Sequence, residues 1–178
     1  ATIYCGGLNI EGNLFSAADI GGGASSLNDL TDVLQETNSL YLGSDPSLTT
    51  DNAEYNVAVG NNALESITTG DNNVAIGYRS LKSNTTGIQN TASGVETLKY
   101  NTEGHSNTAF GYESLLFNTT GNNNTASGLW SMYRNTTGSE NTASGDRSLY
   151  LNTTGSYNTA IGTLTLKENT QGNNNTAL

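Results

Sequence analysis

The sequence is poor in the residues on which most chemistry depends. One cysteine, Cys5, and one histidine, His105, stand among 178 residues. One chain therefore offers no disulfide framework, no multi-cysteine or histidine-rich metal site and no histidine-based triad beyond that single ring. Six Lys and Arg face sixteen Asp and Glu, for a formal net charge of −10. Nucleic acid is not expected as a partner, because neutralising phosphates takes clustered cations. Charged residues are 12% of the chain and apolar ones 34%, against about 25% and roughly 45–50% in ordinary soluble domains. Sparse charge also separates the chain from the common disordered class. No apolar run reaches bilayer length and no signal-peptide pattern opens the sequence, so neither membrane insertion nor export by a leader is expected. No phosphate-binding glycine loop occurs, and no cofactor, catalytic residue or metal ligand is expected.

What fills the space is Asn, Thr and Gly, with 26, 26 and 21 copies. Their arrangement is periodic. From Asn56 the chain reads NVAVGNNALESITTGDN, NVAIGYRSLKSNTTGIQ, NTASGVETLKYNTEGHS and onward in units of 17 residues, without an insertion, to NTAL at the end. The first position is Asn, the third Ala, the fifth and fifteenth Gly and the thirteenth Thr in every unit that reaches them. The third column is Ala58, Ala75, Ala92, Ala109, Ala126, Ala143, Ala160 and Ala177; the ninth is Leu64, Leu81, Leu98, Leu115, Met132, Leu149 and Leu166. Position 12 is Asn except for Ile67, whereas positions 6, 7, 10, 11, 16 and 17 vary freely.

Two glycines per unit break helices, and helical solenoids need units of about 33–47 residues. The pattern instead predicts an all-β chain: a parallel β-roll or solenoid of about seven coils over residues 56–178, the last one truncated, with a mixed or irregular attachment region over residues 1–55. Each coil is expected to hold two short extended stretches, one at N-x-A-x-G and one around the Leu column, with N-T-T-G as a turn. Ala and Leu become structural ladders, and Asn amides bond to the same residue one coil on. Counted in apolar burial alone, Ala and Leu do not offset the backbone entropy of each coil. Positions 2 and 4 point away from Ala, so a core shared with other protomers is expected.

The strings NVAVG, NVAIG and NTAIG resemble the N-x-A-x-G core of the YadA-type head repeat, found in trimeric autotransporter adhesins and bacteriophage tail fibres. The resemblance covers residues 56–178. It implies a trimeric left-handed parallel β-roll in a structural fibre protein of a phage virion, which mediates host-surface attachment. Its implied partners are itself, as a homotrimer, other tail or baseplate proteins, and a host cell-surface glycan or protein. The alternative is a bacterial cell-surface trimeric adhesin, and a third reading is a polysaccharide-degrading tail spike. The family's usual unit is shorter, at about 14 residues.

Candidate contact residues for a glycan or receptor are the aromatics at variable positions: Tyr78, Tyr112, Trp130, Tyr133 and Tyr150, with Tyr100 and Phe117 beside them. Packing between protomers is the competing use of these rings. Carboxylate pairs such as Asp29 with Asp32, or Glu96 with Glu113, could serve a glycosidase; Glu96 and Glu113 are expected to be solvated surface charges. Upstream, Ser26 as a cap with Leu27, Leu30 and Leu34 at heptad-like spacing predicts a short helical neck, an extended segment being equally compatible. Gly21 to Gly23 and the Asp45-Pro46 step are hinge signals, and the boundary is placed near residues 43 to 55.

Overall fold

The computed structural model describes residues 33–36, 38–43 and 52–178. They form one ten-stranded sheet: β1 Val33–Glu36, β2 Ser39–Leu42, β3 Val57–Val59, β4 Val74–Ile76, β5 Thr91–Ser93, β6 Thr108–Phe110, β7 Thr125–Ser127, β8 Thr142–Ser144, β9 Thr159–Ile161 and β10 Thr176–Ala177. Neighbours in sequence are neighbours in the sheet. From β2 to β10 every pairing is parallel and in register, so that Ala58 lies beside Ala75 and Ala75 beside Ala92. The chain is a parallel β-solenoid with one 17-residue coil per turn. In β3 to β9 the central Ala faces inward and is fully buried, while its two neighbours face out. The Leu column is fully buried as far as Leu149. The interior closes within one chain.

The expected second extended stretch around Leu is not a strand. Each coil has one three-residue strand, and the Leu lies in a run of turns with left-handed backbone, as at Leu81 (φ 49°) and Leu115 (φ 53°). Positions 7, 9 and 17 of every coil adopt this conformation without glycine, at Arg79, Leu81 and Gln89 for example. Left-handed turns curl 17 residues into one narrow coil, while backbone bonds to the next coil continue around the arc, as from the Leu81 amide to the Thr97 carbonyl (3.0 Å). Such geometry costs a non-glycine residue roughly 1–2 kcal/mol. At Tyr157, exposed and at φ 59°, Tyr157→Gly is therefore expected to raise stability by about 0.5–1 kcal/mol after the entropic cost of glycine. A denaturant titration checks this.

A second correction concerns the region before the repeat. The helix expected across Leu34 is absent: β1 and β2 form an antiparallel hairpin, turning through Asn38 at φ 59°. Ser39-Leu40-Tyr41-Leu42-Gly43 occupies the same register as N-V-A-V-G, with Leu40 beside Val57 and Tyr41 beside Ala58. Its alternation puts Ser39 and Tyr41 inward, and the fully buried Tyr41 takes the place of alanine at the end of the Ala column. The expectations at Ser26, Leu27, Leu30, Gly21 to Gly23 and Asp45-Pro46 lie outside the described residues, as does most of the proposed boundary.

Two buried columns of asparagine amides run beside the Ala and Leu columns. In the first, the Asn107 side chain donates to Asn90 Oδ1 (3.2 Å) and to the Gly121 carbonyl (2.8 Å), and its own Oδ1 accepts the Asn124 amide N–H (3.0 Å) and side chain (3.1 Å). In the second, Asn118 donates to Asn101 Oδ1 (2.7 Å) and to the Gly121 carbonyl (3.0 Å). The carbonyl at position 15 thus pins both columns. Thr at position 13 donates its hydroxyl to the carbonyl of the Thr one coil on, as from Thr102 to Thr119 (3.2 Å). Each fixed polar residue type has a hydrogen-bonding reason.

Candidate functional site

The arc of positions 6 to 11 lies between the strand and the N-T-T-G turn. It carries all six Lys and Arg of the sequence, namely Arg79, Lys82, Lys99, Arg134, Arg147 and Lys167, and only five of its sixteen carboxylates. It also carries seven of the thirteen aromatic side chains. In-register stacking brings residues of the same or adjacent positions together, because every coil repeats the same backbone path.

The rings form two groups. Tyr100 and Phe117 stack at 5.2 Å between centroids, Phe117 meets Tyr133 edge-on at 5.2 Å, and Tyr133 stacks on Tyr150 at 5.2 Å. This makes one aromatic column across four coils. The second group joins Tyr112 and Trp130, edge-on at 6.4 Å. Trp130 Nε1 donates to Glu113 Oε2 (2.9 Å), and the Arg147 guanidinium lies 4.4 Å from a Trp130 ring centroid. Tyr78 stands apart in its own coil, with Arg79 4.7 Å from its centroid.

Sequence reasoning placed Tyr78, Tyr112, Trp130, Tyr133 and Tyr150 as an outer aromatic surface. Tyr78 and Tyr112 are exposed, whereas Trp130, Tyr133 and Tyr150 are half-buried. Tyr133 and Tyr150 are parallel to within 9° and so cover one face of each other. A hydrogen bond to Glu113 is the chief influence raising the Tyr112 hydroxyl above its ordinary value. For Tyr133 burial leads, with the Glu113 charge second.

The charges are organised too. Glu96 does not stand solvated: its side chain is 17% exposed and accepts ion pairs from Arg79 (3.2 Å) and Lys99 (3.0 Å). Burial works to raise its carboxyl, but the hydrogen bonds and charges of Lys99 and Arg79 outweigh it and hold the group below the ordinary 4.5. Glu96 therefore contributes stability that is present above the unfolded value and lost as pH falls through the lowered folded one. Comparing acid titrations of stability, the wild type is expected to lose more than Glu96→Gln below about pH 4.5, so that their difference shrinks. Asp29 and Asp32 lie outside the described residues. Among the described residues no group of three or more His, Cys, Asp or Glu side chains could hold a metal ion.

Two columns read as free in sequence are ladders. At position 7, Arg79 meets Glu96, and Glu113 meets Trp130, which meets Arg147. At position 16, from Ile88 onward, backbone N–H groups are taken by a side-chain acceptor one coil on: Ile88 by His105 Nδ1 (3.1 Å), His105 by Asn122 Oδ1 (2.7 Å), and Asn122 by Ser139 Oγ (3.0 Å). His105 is thus a ladder acceptor through Nδ1.

Compared with protein-family models, with curated proteins and with solved structures, the chain finds no match.

Proposed function

We propose that this chain is a shaft segment of a bacteriophage tail-fibre type appendage, of the YadA-type head-repeat kind, that serves host-surface attachment. The observation that carries the reading is the uninterrupted in-register stack. Eight parallel strands, β3 to β10, repeat one 17-residue unit without an insertion, and β2 extends the sheet in the same register. At an interstrand spacing of about 4.8 Å these nine strands span roughly 38 Å. Close-packed columns of Ala, Leu and paired Asn stiffen it, and its variable residues fall on the outer arc, where a surface is displayed.

The shaft is proposed to work as a homotrimer, joined to other virion tail or baseplate proteins. Support comes from the outward strand columns, where Val57, Val59, Ile76, Phe110 and Ile161 are exposed beside Thr and Ser. Sedimentation equilibrium at micromolar concentration is expected to return three chains of 18.6 kDa; a monomer contradicts the trimer. Labelled protein is expected to bind whole bacterial cells and to be competed by unlabelled protein. Failure to bind would remove the attachment role, and release of reducing ends from surface polysaccharide would make the chain a degrading spike.

A further inference from the structure

We propose that Arg134, flanked by Phe117 and Tyr133, is a binding site for the carboxylate of an acidic polysaccharide; this deepens the attachment reading above and rests on it. Five of the six cations are spent within the chain. Arg79 and Lys99 pair with Glu96, Lys82 with Glu65, Arg147 with Asp146 and Lys167 with Glu168. Among the described residues Arg134 alone of these cations has no carboxylate within ion-pair distance, and it is exposed. Its guanidinium is 5.9 Å from the centroids of both Phe117 and Tyr133. It therefore stands where the two stacked ring pairs of the aromatic column meet.

This placement has a chemical meaning. A guanidinium offers a planar fork that takes a carboxylate through two parallel hydrogen bonds, and attraction to ring faces holds it without consuming that fork. The half-buried Phe117 and Tyr133 rings beside it add apolar contact area for the ligand. Glu113, the carboxylate whose charge reaches Tyr133, is already engaged by Trp130 Nε1 and by Tyr112. Although the whole chain is strongly acidic, this flank holds every cation, and screening over about 8 Å at physiological salt confines the ligand to the local field. A polymer with one carboxylate per sugar ring fits a flank whose rings recur coil by coil.

The experiment titrates intact protein with polygalacturonate oligomers, their uncharged methyl esters and dextran sulfate. Binding is read by calorimetry and by fluorescence of Trp130, the sole tryptophan. Polygalacturonate is expected to bind, the ester at least tenfold more weakly. Arg134→Gln is expected to weaken binding at least tenfold, and Lys167→Gln, which removes the same charge from the same flank, less than twofold. Melting curves of both variants should match wild type. The site is overturned by no binding to polygalacturonate, by equal losses in the two variants, or by dextran sulfate or the ester binding as tightly. Wild-type protein that adsorbs to cells yet ignores polygalacturonate would sink this site and leave the attachment role standing.

Discussion

Asn107→Ala is expected to cost roughly 3–5 kcal/mol, a large part of the 5–15 kcal/mol typical of a folded domain. The change removes two hydrogen bonds donated by the side chain, to Asn90 Oδ1 and the Gly121 carbonyl, and two that it accepts from Asn124. The Gly121 carbonyl keeps its bond from Asn118, and Asn90 Oδ1 keeps the Asn107 backbone N–H. The buried N–H of Asn124 loses its acceptor. Leaving one such donor unpaired costs about 1–3 kcal/mol, and each further lost bond about 0.5–1.5 kcal/mol. Asn123→Ala, one residue from the ladder and exposed, gives up a 3.2 Å surface bond to Glu140 and a side chain suited to its left-handed backbone (φ 56°), and should cost no more than about 1 kcal/mol. Denaturant midpoints of the two alanine variants make the comparison; equal effects would mean that the ladder contributes nothing special.

Gly104→Ala should be at least as damaging, for a steric reason. A methyl group at Gly104 would stand 2.5 Å from the Gly121 carbonyl oxygen and 2.8 Å from Asn118 Nδ2, and would also press on Asn101 Oδ1. These are the atoms that join the two Asn columns, and the carbonyl is backbone fixed by the coil beneath. Relief requires neighbouring coils to separate, which breaks hydrogen bonds around the arc. A loss of about 4 kcal/mol or more is expected, near the top of the range for single substitutions. The same close approach to the carbonyl one coil on recurs at Gly70, where position 12 is Ile67 rather than Asn. A Gly104→Ala protein with unchanged thermal and denaturant midpoints would mean that the coils are not stacked this closely.

How much of this could be read beforehand depended on residue identity. Columns of one residue type, Ala at position 3 and Leu at position 9, show at once as interior ladders, and Asn-to-Asn bonding follows from identical amides one coil apart. Columns that conserve a capability while changing the residue look free. Position 16 supplies an acceptor in most coils, from Asp71, His105, Asn122 and Ser139, with Ile88 the exception. Position 7 matches partners pairwise, Arg79 to Glu96 and Trp130 to Glu113, so its residues differ for the same reason that they fit. Arg134 was invisible as a site residue because its distinction is a missing ion pair, which only three dimensions reveal. The Leu arc was misread because leucine rarely takes left-handed backbone; here the need to close a 17-residue coil outweighs that preference.

The energetic argument also shifts. Apolar burial alone made a single stack look too weak, and a shared core followed as the remedy. The amide columns add buried, mutually satisfied hydrogen bonds to every coil, and the Ala and Leu interior is sealed without a partner. The proposed association of chains then rests on the exposed apolar residues of the strand face rather than on a deficient core.

The central claim is that paired asparagine amides, stacked coil upon coil, hold this solenoid in register. Hydrogen exchange of Asn side-chain amides tests it most directly, because it reads those protons individually. The account predicts slow exchange at positions 1 and 12 of the inner coils, such as Asn90, Asn107, Asn118 and Asn135, and fast exchange at Asn62, Asn123 and Asn174. Uniformly fast exchange of all these amides in a protein that remains folded would contradict it.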